Sequence, residues 1–213
     1  MNRNTPNSIS VRAFGLFFIA AMGACLVWIL LAPPRASAAT FTVTKTADTN
    51  DGVCNTDCSL REAIIAANTS PGPDSIIVPN GIYTLTIPGV GEGAAAIGDL
   101  DILGDVTITG SGATIINGGG LGNRGNGLDR VFDITSTVSV VLSNLTIAGG
   151  SAGDNYGGGI ANQGSLTILD SVIQDNTASG GGGIFNHGTL TVTNSTLYFN
   201  LGANYGSGIY TGA

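Results

Sequence analysis

The chain has 213 residues, a length for one domain, with seven Lys and Arg against fourteen Asp and Glu. The basic residues are nowhere clustered, so nucleic acid and anionic membrane surfaces are not expected partners. Glycine is abundant at 34 but sits at repeat boundaries, which argues against a flexible linker.

Residues 1–12 carry Arg3 and Arg12 and no acid, and 13–32 is an uninterrupted apolar run. Pro33-Pro34-Arg35 ends the run, and Ala36-Ser37-Ala38 has the small-x-small form of a cleavage site. The pattern predicts a secretory signal peptide over 1–38. An uncleaved anchor is the alternative, because about 20 apolar residues can span a bilayer; it is the one membrane contact the sequence offers. Met22-Gly23-Ala24-Cys25 loosely resembles a lipoprotein box, but the apolar run continues past it through Leu31. After cleavage Lys45, Arg61, Arg124 and Arg130 face fourteen acids, a net charge near −10.

Residues 41–46 alternate and read as a strand. The following loop carries Asp48, Asn50 and Asp51, then Cys54 and Cys58. In an oxidising compartment the two cysteines suit a disulfide; a metal pair is the alternative, needing two further ligands. Ser59 and Glu62 form a capping box, and Leu60, Ile64 and Ala67 follow at helical spacing, so a helix is expected over 59–67. Pro71-Gly72-Pro73 stops it. Strands are expected at 74–79, 82–87, 106–109, 113–116, 131–134, 138–142 and 145–147, with a loop at 88–96 and a glycine-rich excursion at 118–129.

Residues 157–176 and 181–200 match at ten of twenty positions, and a third copy opens at Gly206-Ser207-Gly208-Ile209. A period near 24 predicts a solenoid in which each strand pairs in parallel with its equivalent one rung away. Leu166, Ile168, Leu190, Val192, Ile147, Ile173, Leu197, Ile160, Ile184 and Ile209 are expected inward. Asn162/Asn186 and Asn176/Asn200 fall at turns, where stacked amides suit asparagine. The 59–67 helix is expected to cap the first coil, with Leu60 and Ile64 inward.

Cys58-Ser59-Leu60-Arg61-Glu62-Ala63-Ile64, with the flanking strand, Asp-rich loop and Pro-Gly-Pro-Asp-Ser segment, resembles the CSLREA domain of exported bacterial proteins, over about 41–87. The Gly-Gly-Gly-Ile-x-Asn-x-Gly rungs resemble repeats of polymorphic outer membrane proteins and other pectin-lyase-like folds, over about 100–213. The resemblance implies an all-β, right-handed parallel β-helix in a secreted or cell-surface protein. The expected organisation is a signal peptide at 1–38, an N-terminal cap and first coil at 39–99, and repeats at 100–213. The third rung breaks off at Ala213, so the last rung is expected to be poorly ordered, self-associating, or completed by further sequence.

The β-helix polysaccharide lyases and hydrolases place acids and bases on outer faces. Asp99, Asp101 and Asp105, with Arg124 and Arg130 downstream, are the candidates here. Asp99-Leu100-Asp101 puts two carboxylates on one strand face, a Ca²⁺ contact or an acid/base pair; a solvated strand entrance on an acidic protein is the preferred explanation. Asp48-Thr49-Asn50-Asp51-Gly52 resembles a calcium loop, but its glycine comes one position early and the terminal Glu is missing. Ca²⁺ is thus the one cofactor the pattern admits. Asp170, Asp175 and His187 read as turn positions. Tyr156 and Tyr205, two coils apart, suggest an exposed aromatic stripe for sugars or partners, or packing against loop glycines. No residue is assigned as catalytic. The expected function is an exported, non-catalytic surface protein for adhesion, display or binding of glycans or proteins, and the alternative is a carbohydrate-active lyase or hydrolase.

Overall fold

The structure, a computed structural model, describes residues 37–120, 122 and 127–212. The signal-peptide reading lies almost wholly outside these, and so does Arg124. Among the described residues no helix is long and apolar enough to cross a membrane.

Parallel strands stack into a β-solenoid. One sheet, A, runs through β1 (Thr40–Thr42), β2 (Asp74–Ile77), β5 (Val106–Asn117), β7 (Ser139–Ala148), β10 (Val172–Gln174) and β14 (Thr196–Tyr198). The strands β3 (Gly81–Thr84), β9 (Ser165–Leu169) and β13 (Thr189–Thr193) extend it. Sheet B stacks β4 (Leu100–Ile102), β6 (Phe132–Ile134), β8 (Ile160–Asn162), β12 (Ile184–Asn186) and β16 (Ile209–Thr211). A two-stranded corner pairs β11 (Thr177–Ala178) with β15 (Leu201–Gly202).

The 24-residue rung holds only for the later coils. Leu166 pairs with Leu190, 24 residues on, but Val106 pairs with Val140, 34 residues on. The surplus leaves the coil as loops at 88–98 and 149–159, and between them at the described residues 118–120 and 127–130. Two further differences concern strand ends. Residues 106–109 and 113–116 form one strand, β5, with a register shift between Thr109 and Thr114. Likewise 139–148 is one strand, turned at Asn144, whose φ is 54°. Asp170 and Asn194, one and two rungs on, adopt the same left-handed conformation (φ 47° and 50°), which short polar side chains tolerate.

The core is aliphatic and in register. Ile147, Ile160, Leu166, Ile168, Ile173 and Ile184 are all at most 1% exposed. In the last rung Leu190, Val192 and Leu197 are half-buried against the same cluster, and Ile209 is 40% exposed. The expected amide stacks are present: Asn162 Nδ2 donates to Asn186 Oδ1 (2.6 Å), and Asn176 Nδ2 to Asn200 Oδ1 (3.0 Å).

The helix α1 (Leu60–Thr69) starts at the expected box. Glu62 N–H donates to Ser59 Oγ (3.1 Å), and Ser59 N–H to Glu62 Oε2 (2.8 Å). It runs two residues beyond the expected end, to a cap at Ser70. Leu60, Ala63, Ile64 and Ala67 are buried on the core. Two side chains on this helix also cover the free edge of β4, a place a strand would otherwise take. Asn68 Nδ2 donates to Asp101 O and Asn68 Oδ1 accepts from Leu103 N–H, both at 2.8 Å. Arg61 Nη1 donates to Asp99 O (3.1 Å). Cys54 and Cys58 are joined as a disulfide, which removes the metal-pair alternative.

Candidate functional site: the outer face of sheet B

Leu100, Ile102, Phe132 and Ile134 point into the core at 1% exposure or less. Strand alternation therefore turns the intervening Asp101 and Asp133 to the outer face, in register one rung apart. The same outward column continues through Ala161, Phe185 and Tyr210. One row along the solenoid thus changes from carboxylate to aromatic.

At the carboxylate end Asp99, Asp101 and Asp133 bring ligand oxygens within 4.8 Å of one another. Arg130 reaches into this group. Its Nη1 donates to Asp133 Oδ2 (2.9 Å), and its Nε lies 3.3 Å from Asp99 Oδ2 and 3.8 Å from Asp129 Oδ1. The Nε contacts are ion pairs without hydrogen-bond alignment, since this buried nitrogen has no hydrogen-bond partner. Asp101 Oδ2 accepts from Ala95 N–H (2.8 Å), which closes the 88–98 loop over it. Burial, then the charges of Asp129 and Asp101, push the Asp99 carboxyl up to about 8 against the pull of Arg130. Burial raises Asp101 to about 6, although the Ala95 N–H opposes it. Asp129 and Asp133 are raised for the same first reason. The oxygens suit a hard cation, but Arg130 already contacts two of the three carboxyl groups, and a metal would have to displace it.

Of the sequence candidates, Asp99 and Asp101 come together, and Arg130 joins them. Asp105 does not: it is exposed, and its Oδ1 accepts from Ser139 N–H (2.8 Å) at the start of β7. Asp48 is turned to Arg61, and its Oδ2 also accepts from Thr86 and Ile87 N–H (2.7 and 3.0 Å). Asn50 donates to Ala96 O, and Asp51 Oδ1 accepts from Val53 N–H. The resemblance to a calcium loop is thereby accounted for by loop-closing bonds. Asp170 and Asp175 take left-handed turn conformations, and His187 is an exposed neighbour of Phe185, their rings 6.5 Å apart.

At the aromatic end Tyr156 stacks on Phe185 with centroids 4.9 Å apart, and Tyr205 on Tyr210 at 4.9 Å. The pairs join through Tyr156–Tyr210 (5.7 Å) and Phe185–Tyr210 (5.8 Å). Gly180 lies between the Tyr156 and Tyr205 rungs; a Cβ there would stand 3.0 Å from Tyr156 Cδ1 and 3.1 Å from Tyr210 Cδ1. The two tyrosines thus pack over a glycine and remain 39% and 50% exposed.

Asp133, Phe185 and Tyr210 were the residues sequence reasoning missed. Leu100-Asp101-Ile102 and Phe132-Asp133-Ile134 share an apolar-Asp-Ile pattern that aligns the two acids. Phe185 and Tyr210 each follow the isoleucine of a Gly-x-Gly-Ile segment, the same outward position.

The three surplus loops meet beside this row. Val90, Leu128, Asp129, Arg130, Asp154 and Asn155 line a groove of about 490 Å³ between them. Its 151–155 wall leads directly into Tyr156. No family model, curated protein or solved structure matches the chain.

Proposed function

We propose that this is an exported, non-catalytic β-solenoid that serves adhesion, display or binding at the cell surface or outside the cell. The observation that carries the reading is the cluster of Tyr156, Phe185, Tyr205 and Tyr210 on the outer face of sheet B. The neighbouring core is filled by isoleucine and leucine without them, and exposed rings on a rigid face favour recognition. Export is supported by the charged, apolar and small-residue pattern of 1–38, by the Cys54–Cys58 disulfide and by the CSLREA resemblance. Expression of the full chain in a bacterium, followed by fractionation and mass measurement, tests this. A product beginning at Ala39, outside the cytoplasm, is expected; an intact cytoplasmic chain overturns it.

A carbohydrate-active enzyme is the second reading, favoured by the raised carboxyls of Asp99 and Asp101. Both side chains, however, lie under the 88–98 loop at 5% and 4% exposure, without an open path to a polymer. Incubation with polygalacturonate and other acidic glycans, with and without Ca²⁺, is expected to give no cleavage. Ca²⁺-dependent cleavage abolished by Asp101→Ala would establish the enzyme instead.

A further inference from the structure

Resting on the binding reading above, we propose that the groove and the ring platform form one continuous site for an uncharged oligosaccharide.

The platform supplies the apolar half of the recognition. Phe185 and Tyr210 lie in one outward column and Tyr156 and Tyr205 in the next, so the four rings form one contiguous, half-exposed cluster in which Tyr156 stacks on Phe185 and Tyr205 on Tyr210. The exposed parts of these rings offer apolar contact to the C–H groups of a pyranose, and tyrosine brings a polar handle beside it. Gly180 lets the two columns close on each other; a side chain at that position would wedge them apart. Because the ladder holds the rings, little ordering entropy is lost on binding.

The groove supplies the polar half. Hydroxyls both donate and accept, so a sugar needs donors and acceptors side by side. Arg130 lines the groove and brings guanidinium donors to it. Asp154 and Asn155 stand exposed on the opposite wall, and Leu128 and Val90 give apolar contact between. Loops that depart from the regular rung build all of this lining, and such loops commonly carry function.

Charge selects the class of sugar. Asp129 and the exposed Asp154 line the groove against Arg130, the single cation among its described lining residues, and no Lys or Arg follows Arg130 in the chain. A polyanion such as a uronic-acid polymer is repelled, and a neutral chain is not. From β6 to β16 is three rung steps, about 14 Å at the usual strand spacing. That length calls for several sugar units rather than one.

The test uses the exported chain and titration calorimetry with three probes: cellohexaose, xylohexaose and polygalacturonate fragments of similar length. At least one neutral hexaose is expected to bind, and the polyanion is not. Phe185→Ser and Tyr205→Ala should each weaken binding at least tenfold, while Tyr198→Ser, on sheet A, leaves it unchanged. Tyr205 is half exposed, so its variant guards against a folding artefact in the other. Binding of neither hexaose at millimolar concentration, preference for the polyanion, or indifference to both platform variants overturns the site. A protein that is exported but binds neither hexaose loses this inference alone. A chain that stays in the cytoplasm refutes the export reading whatever it binds.

Discussion

Asp48 and Arg61 hold each other through two bonds, Oδ1–Nε at 2.7 Å and Oδ2–Nη2 at 3.2 Å, with neither side chain reaching solvent. The remaining Arg61 donors go to Ala95 O, Gly98 O and Asp99 O. Asp48 Oδ2 also takes the N–H groups of Thr86 and Ile87. One ion pair thereby ties the Asp-rich loop, α1, the strand exit at 86–87 and the entrance to β4. Removing one partner strands the other charge in a dry site, so Asp48→Ala should cost roughly 3–5 kcal/mol. Arg61→Lys should fare little better, because an ammonium has three donors and no planar fork. Urea unfolding measures both, and a loss below about 1 kcal/mol for Asp48→Ala contradicts this account.

The same region separates what local sequence pattern dictates from what the tertiary fold adds. The capping box of Ser59 and Glu62 and the inward Leu60 and Ile64 are local patterns, governed by helical period, and they were legible. The inward aliphatics of the repeats were legible because strand alternation and a 24-residue period place them. The partners of Asp48 and Arg61 were not, since Thr86 and Gly98 lie about 38 residues away through loops of irregular length. The outer-face site was half legible for a related reason. Asp99 and Asp101 share a strand end, but Asp133 joins them across a 32-residue rung that the 24-residue beat does not anticipate. Asp105 marks the converse error, since proximity in sequence carried it past a turn and onto a different sheet.

The glycine runs offer a test at the backbone level. A Cβ on Gly158 would stand 2.3 Å from Thr177 O and 2.7 Å from Gly182 O, both fixed by the ladder. Gly158→Ala should therefore destabilise by several kcal/mol or abolish folding. Gly93, in the 88–98 loop, has nothing within 4 Å of that position. Gly93→Ala should be neutral, or stabilising by up to about 1 kcal/mol through the unfolded chain. Paired thermal melts of the two variants read the contrast, and equal losses would exclude close approach as the reason for the run.

The asparagine stack predicts a gradient along the axis. Asn176 Nδ2 donates to Ile147 O (3.1 Å) and Asn200 Oδ1 (3.0 Å), and its Oδ1 accepts from Gly150 N–H (2.9 Å), all away from bulk water. Asn200 makes the same type of reach, to Ile173 O (2.8 Å), but is only half-buried. An unsatisfied buried group costs about 1–3 kcal/mol, so Asn176→Ala should cost roughly 2–4 kcal/mol and Asn200→Ala less. The order of the two, measured by urea unfolding under one set of conditions, is the discriminating result. Asn200→Ala costing as much as Asn176→Ala would mean that burial does not set the value of these amides.

Stability should fall as pH rises from mildly acid to mildly alkaline. Asp99 is raised from its ordinary value to about 8 and Asp101 to about 6, with Asp129 and Asp133 shifted the same way, burial being the first cause in each. A carboxyl raised in the folded state binds more protons there than in the unfolded chain. The slope of stability against pH is therefore negative between about 4 and about 8. Glu62 works in the other direction. Burial pushes it up, but hydrogen bonds from Ser59, Thr49 and Asp51 outweigh that and hold it below its usual value. Its contribution is present above the ordinary carboxylate range and is lost below it, which sets an acid limit. The optimum should thus lie near pH 5, with Tm at pH 8.5 lower by at least about 5 °C. Asp99→Asn removes the carboxyl pushed up to about 8 and should flatten the fall above pH 5. It keeps an acceptor near Arg130 and adds no charge to repel Asp129. Differential scanning calorimetry at pH 5, 6.5 and 8.5 on both chains gives the answer. A Tm that holds or rises towards pH 8.5 in the parent would mean that Arg130 compensates the whole cluster and keeps all four carboxyls ionised.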